Sequence, residues 1–203
     1  MPGLQDLELE NDMRITKLGE EILRQKCEPV KPEEINDDLR ALFNEMFETM
    51  TSANGVGLAA PQVGIAKRFF VLESDDDVKR VFINPEIIKT SAETSEYEEG
   101  CLSLPGLSEN ITRPVKVSVS ALNEFGKPFV INDADGLLAR IIQHENDHLD
   151  GILYIDRGEE KFKTEAIETF RKRAERAAKK AAAKEAKQRS IEAKKAAKAA
   201  KSK

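Results

Sequence analysis

Four side chains of this sequence have the right types and spacing to hold and use a metal ion. His144 and His148 are the only histidines in the chain. Their i, i+4 spacing puts two imidazoles one turn apart on one helix face, close enough to share an ion. Glu145 lies between them in H-E-x-x-H, a pattern in which the carboxylate handles protons and leaves the metal to the rings. Two histidines four apart could also merely satisfy hydrogen bonds in a core, but the helix that the motif requires is written around them. A catalytic metal usually has three protein ligands and one open position. The third ligand could be Glu165 or Glu168, about twenty residues downstream as in one class of metalloprotease. Both lie in a polar, basic stretch, a poor place for a buried ligand. It could instead be Cys101 in EEGCLSLPG, whose thiol would ionise outright on coordination. Taken alone, a cysteine is more often a small buried hydrophobe.

The element that must position the histidines is DADGLLARIIQHENDHLDG, residues 133–151. Asp133 or Asp135 can cap its start, and Gly151 falls where a left-handed stop is wanted. Leu137, Ile141, His144 and His148 form one stripe, and Leu138, Ile142, Glu145 and Leu149 the next. The face is polar only where the chemistry would be, so this helix is expected at the centre of the domain. Between Glu33 and Met50, the apolar residues Ile35, Leu39, Leu42, Phe43, Met46 and Phe47 recur every three or four positions and predict an amphipathic helix. RFFVLE and VFINPEIIK predict two sheet strands separated by the polar SDDD, and VKVSVSALN with PFVIN predicts an antiparallel pair with a turn between. Residues 54–64, NGVGLAAPQVG, read as a loop with a brief extended piece. GVGLAA also fits the dinucleotide fingerprint G-x-G-x-x-A, but no apolar strand precedes it, and Pro61 stands where a phosphate-binding helix would run. Strands do not alternate with long crossover helices, so the predicted class is α+β.

At 203 residues the chain suits one core. The net charge of -5 hides an asymmetry: residues 1–160 carry 16 basic and 32 acidic side chains, residues 161–203 carry 16 and 5. The acidic start lacks the features of a signal or transit peptide, and no stretch reaches the roughly 20 apolar residues of a membrane helix. A cytoplasmic protein without membrane contact is therefore expected, in which Cys27 and Cys101 stay reduced and Cys27 is ordinary packing. From Glu165 onward an Ala-, Lys- and Arg-rich composition predicts a helical tail, either a solvated face or a contact for RNA phosphates.

Three segments, GVGLAAPQVG at 55–64, EGCLSLPG at 99–106 and QHENDHLDG at 143–151, resemble the signature motifs of the bacterial peptide deformylases, in the same order. The likeness runs from about Met13 to about Asp156. It implies antiparallel sheets around a central buried helix carrying HExxH, followed by a C-terminal helix, with a catalytic domain at 1–164 and a tail at 165–203. It implies that Cys101, His144 and His148 bind one divalent metal, Fe(II) in the cell, with Zn(II), Ni(II) or Co(II) as alternatives. Glu145, Gln62 and the backbone N–H of Leu102 become the catalytic groups, the last two as donors to a developing oxyanion. Gly57, Val56 and Gly100 become substrate contacts. The implied reaction removes the formyl group from the N-terminal formylmethionine of nascent peptides and releases formate, with the ribosome as a partner reached through the tail. Two rivals differ in testable ways: an internal-bond protease would not need Cys101, and an RNA-binding module with a vestigial site would rest on the tail alone.

Overall fold

The computed structural model describes residues 13–200, with side chains described through residue 189. The acidic stretch 1–12 and residues 201–203 lie outside the described residues. The elements in chain order are α1 (Asp37–Ser52), β1 (Gly57–Ala59), β2 (Phe69–Glu73), β3 (Lys79–Thr90), β4 (Thr94–Gly100), β5 (Ser108–Pro114), β6 (Val117–Leu122), β7 (Pro128–Ala134), α2 (Gly136–Leu149) and α3 (Glu160–Ala200). The chain divides into a unit spanning Met1–Lys163 and a second spanning Thr164–Lys203.

In the first unit, β1, β2, β3, β6 and β7 form one antiparallel sheet in that order. Its inner strand β2 is FFVLE, apolar on both sides, because each face meets a helix. Phe69 and Val71 turn toward Phe43, Met46, Phe47 and Met50 of α1. Phe70 and Leu72 turn the other way, into a cluster with Ile141, Ile142 and Leu149 of α2. Phe70 and Phe82 stack there at 4.7 Å, and cutting either to alanine would cost about 3 to 5 kcal/mol.

The predicted strands and all three predicted helices are present. Helix α1 starts later than its apolar spacing suggests, since Pro32–Glu34 forms a 3-10 turn and Asn36 then caps the helix by accepting the Leu39 N–H at 3.0 Å. In β3, Pro85 has no N–H to give, and the register shifts between Ile83 and Glu86, with Asn84 at φ 51°. The Asn84 side chain is held in place by the backbone of Val30, accepting its N–H and donating to its carbonyl, each at 2.8 Å.

The hairpin β4–β5 was not expected, because TSEYEEG and SENITRP are mostly polar. It forms a separate two-stranded sheet. The loop it closes, residues 101–107, carries Cys101. Helix α2 has ten buried residues among its fourteen. Asp135 occupies its N-cap position without making the side-chain cap bond, and Gly151 ends the segment at φ 71°, as its position suggested. A Cβ on Gly151 would lie 2.5 Å from the Arg24 carbonyl oxygen. The second unit is helical, its charged side chains pairing along the helix, as in Arg171–Glu175 and Arg189–Glu185. Among the described residues no helix is long and apolar enough to cross a membrane.

Candidate active site

Helix α2 delivers His144 and His148 with ring centroids 5.1 Å apart. The β4–β5 loop brings the Cys101 Sγ to 3.3 Å from His148 Nε2. The ligand atoms of Cys101, His144 and His148 lie within 4.8 Å of one another, and among the described residues they form the one such group of three or more. Glu168, one alternative third ligand, is taken up by Arg171 and Lys172 of its own helix. A soft thiolate with two imidazoles suits Fe(II), Zn(II), Co(II) or Ni(II). His144 Nδ1 lies 2.8 Å from Glu99 Oε2, which leaves Nε2 for an ion. Burial is the main influence that pushes the His148 pKa well below the ordinary range, whereas at His144 burial acts the same way but the bonds to Cys101 and Glu99 prevail and push it well above. The donor set therefore fits a divalent metal.

Beside this group the Glu145 carboxylate is buried, and its Oε2 has no hydrogen-bond partner. Burial, the dominant influence, raises its pKa to about 7. The space for it is made by Gly57. A Cβ there would meet the Glu145 carboxylate, with Cδ at 2.8 Å and Ile141 Cγ2 also at 2.8 Å. Glycine at 57 thus lets the helix pack directly on β1, a reason that the motif alone did not reveal.

Around the histidine lies a buried ionic network that sequence reasoning missed. Arg113 of β5 donates to both oxygens of Glu99, at 2.6 and 3.0 Å, and to Asp147 of α2 at 2.7 Å. Arg140 donates to Glu99 at 3.0 Å and to the carbonyls of Ile111 and Ser95 at 2.9 and 3.0 Å. Burial works to raise the Glu99 pKa, but the bonds to His144 and Arg113 prevail and hold it at about 2. The available signal was Arg140 and Asp147 falling within a helix that its neighbours place in the core. The physical consequence is that Glu99 fixes the His144 ring and its tautomer.

Gln62 is likewise fixed. Its Oε1 accepts the Ala59 N–H at 2.8 Å, which sets the amide so that Nε2 points to Cys101 Sγ at 3.4 Å and Ser103 Oγ at 3.3 Å. The Leu102 N–H donates to no protein acceptor among the described residues. A pocket of about 670 Å³ is lined by Gln62, Leu102, His144 and Glu145 together with the predicted substrate contacts Val56, Gly57 and Gly100. Val56 is exposed. Strand β1 pairs only with β2 and is an edge of the sheet.

The same stretch of chain has relatives of known kind. A sequence model of the polypeptide deformylases matches residues 12–164. A peptide deformylase of Treponema pallidum (strain Nichols) is 51% identical over 158 residues, which is 78% of this chain and 95% of that one. The crystal structure of a peptide deformylase from Legionella pneumophila superposes with a TM-score of 0.73 at 40% identity, over 81% of this chain and 98% of that one. One from Synechococcus elongatus in complex with actinonin gives 0.71 at 43% identity, over 77% and 86%. The matched region, residues 12–164, runs from before α1 through the cysteine loop and past the end of α2, so the likeness includes every residue of the pocket, and the chain belongs to the peptide deformylases, metal-dependent hydrolases that remove the formyl group from newly made polypeptides.

Proposed function

We propose that Cys101, His144 and His148 hold the metal of this deformylase, that Glu145 is its acid and base, and that Gln62 and the Leu102 N–H receive the oxyanion. The observation that carries this is the meeting of one sulfur and two imidazole ligand atoms beside a buried carboxylate oxygen with no partner of its own. A divalent ion bound there supplies Lewis acidity, which lowers the pKa of water from about 15.7 to about 7. Glu145 takes a proton from the attacking water and passes it to the nitrogen of the departing peptide, so that formate and a free N-terminal amine leave. As the formyl carbon becomes tetrahedral, charge gathers on its oxygen. Gln62 suits that charge because it is neutral and its amide is locked by Ala59. The peptide lies extended along the edge of β1, with Gly57 and Gly100 backbones on either side and Val56 near the methionine side chain.

Glu145→Gln should leave a folded, metal-bearing protein whose formate release from formyl-Met-Ala-Ser falls by at least about 100-fold. Activity within tenfold of the parent would refute the role of Glu145. Fe(II) is the proposed ion in the cell, and metal analysis of protein purified without oxygen decides between it and Zn(II), Ni(II) or Co(II).

The proposed setting is the cytoplasm, with nascent chains as substrate and the ribosome as partner. The support is the excess of lysine and arginine after residue 160, which suits RNA phosphates. Removing residues 172–203 should weaken ribosome binding most at low salt while turnover of a free formyl peptide is unchanged. Equal ribosome affinity with and without the tail would end that reading.

A further inference from the structure

The two oxyanion donors sit on loops about forty positions apart in the sequence, the 3-10 turn Ala60–Val63 and the loop 101–107. Residues 16–18 cross both. The Thr16 N–H donates to the Gln62 carbonyl at 2.8 Å, and the Thr16 hydroxyl donates to the Pro61 carbonyl at 3.0 Å. One residue later the Lys17 ammonium donates to the Leu102 carbonyl at 2.9 Å, and the Leu18 N–H donates to the Ser103 carbonyl at 3.1 Å. The strap is itself pinned: the Lys17 N–H donates to Glu20 Oε1 at 2.7 Å, and both Thr16 and Leu18 are buried.

We propose that Thr16 and Lys17 are positioning residues for deformylation, fastening the turn that carries Gln62 and the loop that carries the Leu102 N–H into one rigid frame. This rests on the oxyanion reading above. Donors to a developing charge help only if they are already in place, and a supporting contact that lets them drift by about 1 Å can cost 100-fold in rate. Loops are the segments most prone to such drift. Lys17 holds the carbonyl on the far side of the Leu102 Cα, and so orients the residue that carries the N–H. A charge-assisted bond suits this task, being about twice as strong as a neutral one.

The test is steady-state formate release by the metal-loaded, full-length enzyme. Lys17→Met keeps the aliphatic stem and removes the donor; it should lower kcat roughly 10- to 100-fold while KM stays within about twofold, because only the transition state uses the oriented N–H. Lys17→Arg restores a cation and should recover most of kcat. Thr16→Val, which keeps the shape and loses the hydroxyl, should lower kcat in the same manner by a smaller factor. Gln62→Ala run alongside checks the reading beneath: if it lowers kcat and Lys17→Met does not, the strap proposal is wrong and the oxyanion reading survives. If neither lowers kcat, both are wrong. A Lys17→Met enzyme that melts lower, loses kcat and KM together and is not rescued by arginine would show a merely structural strap and overturn the proposal.

Discussion

Glu99 and Glu168 are both carboxylates gripped by arginine, and both are held at a pKa of about 2, well below the ordinary 4.5. Their surroundings differ. Glu99 and its partner Arg113 have side chains only 3% exposed, while Glu168 and Arg171 are 43% and 55% exposed. At Glu168 the bonds from Arg171 and Lys172 pull the pKa down with little opposing burial. At Glu99 the same kind of bonding must first overcome a large desolvation cost. Equal shifts therefore describe unequal structures. In the first unit the pair is locked and aims a histidine; in the second it decorates a helix in water, where salt screens it.

Arg113→Met should break the contrast most severely. It removes the cation that Glu99 and Asp147 share but leaves Arg140 on Glu99 and Arg157 on Asp147, so the cost should be about 1.5 to 3 kcal/mol in unfolding free energy by denaturant titration. With Glu99 less firmly held, His144 should then hold metal about 10-fold more weakly. If metal affinity is unchanged, Glu99 does not aim the ring.

Acid titration should separate the two carboxylates more finely. Both folded pKa values lie below the ordinary one, so the stabilisation is complete above pH 4.5 and is lost as pH falls toward about 2. Raising the salt should bring the Glu168 titration, followed by NMR, back toward its ordinary value and leave that of Glu99 where it is. Parallel movement of both would erase the distinction. The smallest effect belongs to Arg171→Ala, which should leave the denaturation midpoint unchanged because an exposed pair of this kind is worth little.

The same contrast explains what the sequence disclosed. Helix α2 was legible because Leu137, Ile141, Leu138 and Ile142 repeat with helical period around an HExxH whose roles are chemically narrow. Strand β2 was legible because both its faces are apolar. The hairpin β4–β5 was not, since the inward positions of β5 hold Ile111 and then Arg113, and the inward position of β4 next to the cysteine is Glu99. Charged residues facing inward read as surface until their partners are known, and those partners, Arg140 and Asp147, lie on another element. The resemblance offers Gly57 as a substrate contact, whereas its closeness to Glu145 comes only from the packing of α2 on β1.

The central claim is that a sulfur from the hairpin loop completes a coordination shell begun by two imidazoles of α2. X-ray absorption on the purified, metal-loaded enzyme counts those ligands directly. One sulfur at about 2.3 Å with two nitrogens at about 2.0 to 2.1 Å, if zinc is the ion loaded, and loss of the sulfur shell in Cys101→Ala, is the result predicted here. A shell of nitrogen and oxygen alone, unchanged by that substitution, would contradict it.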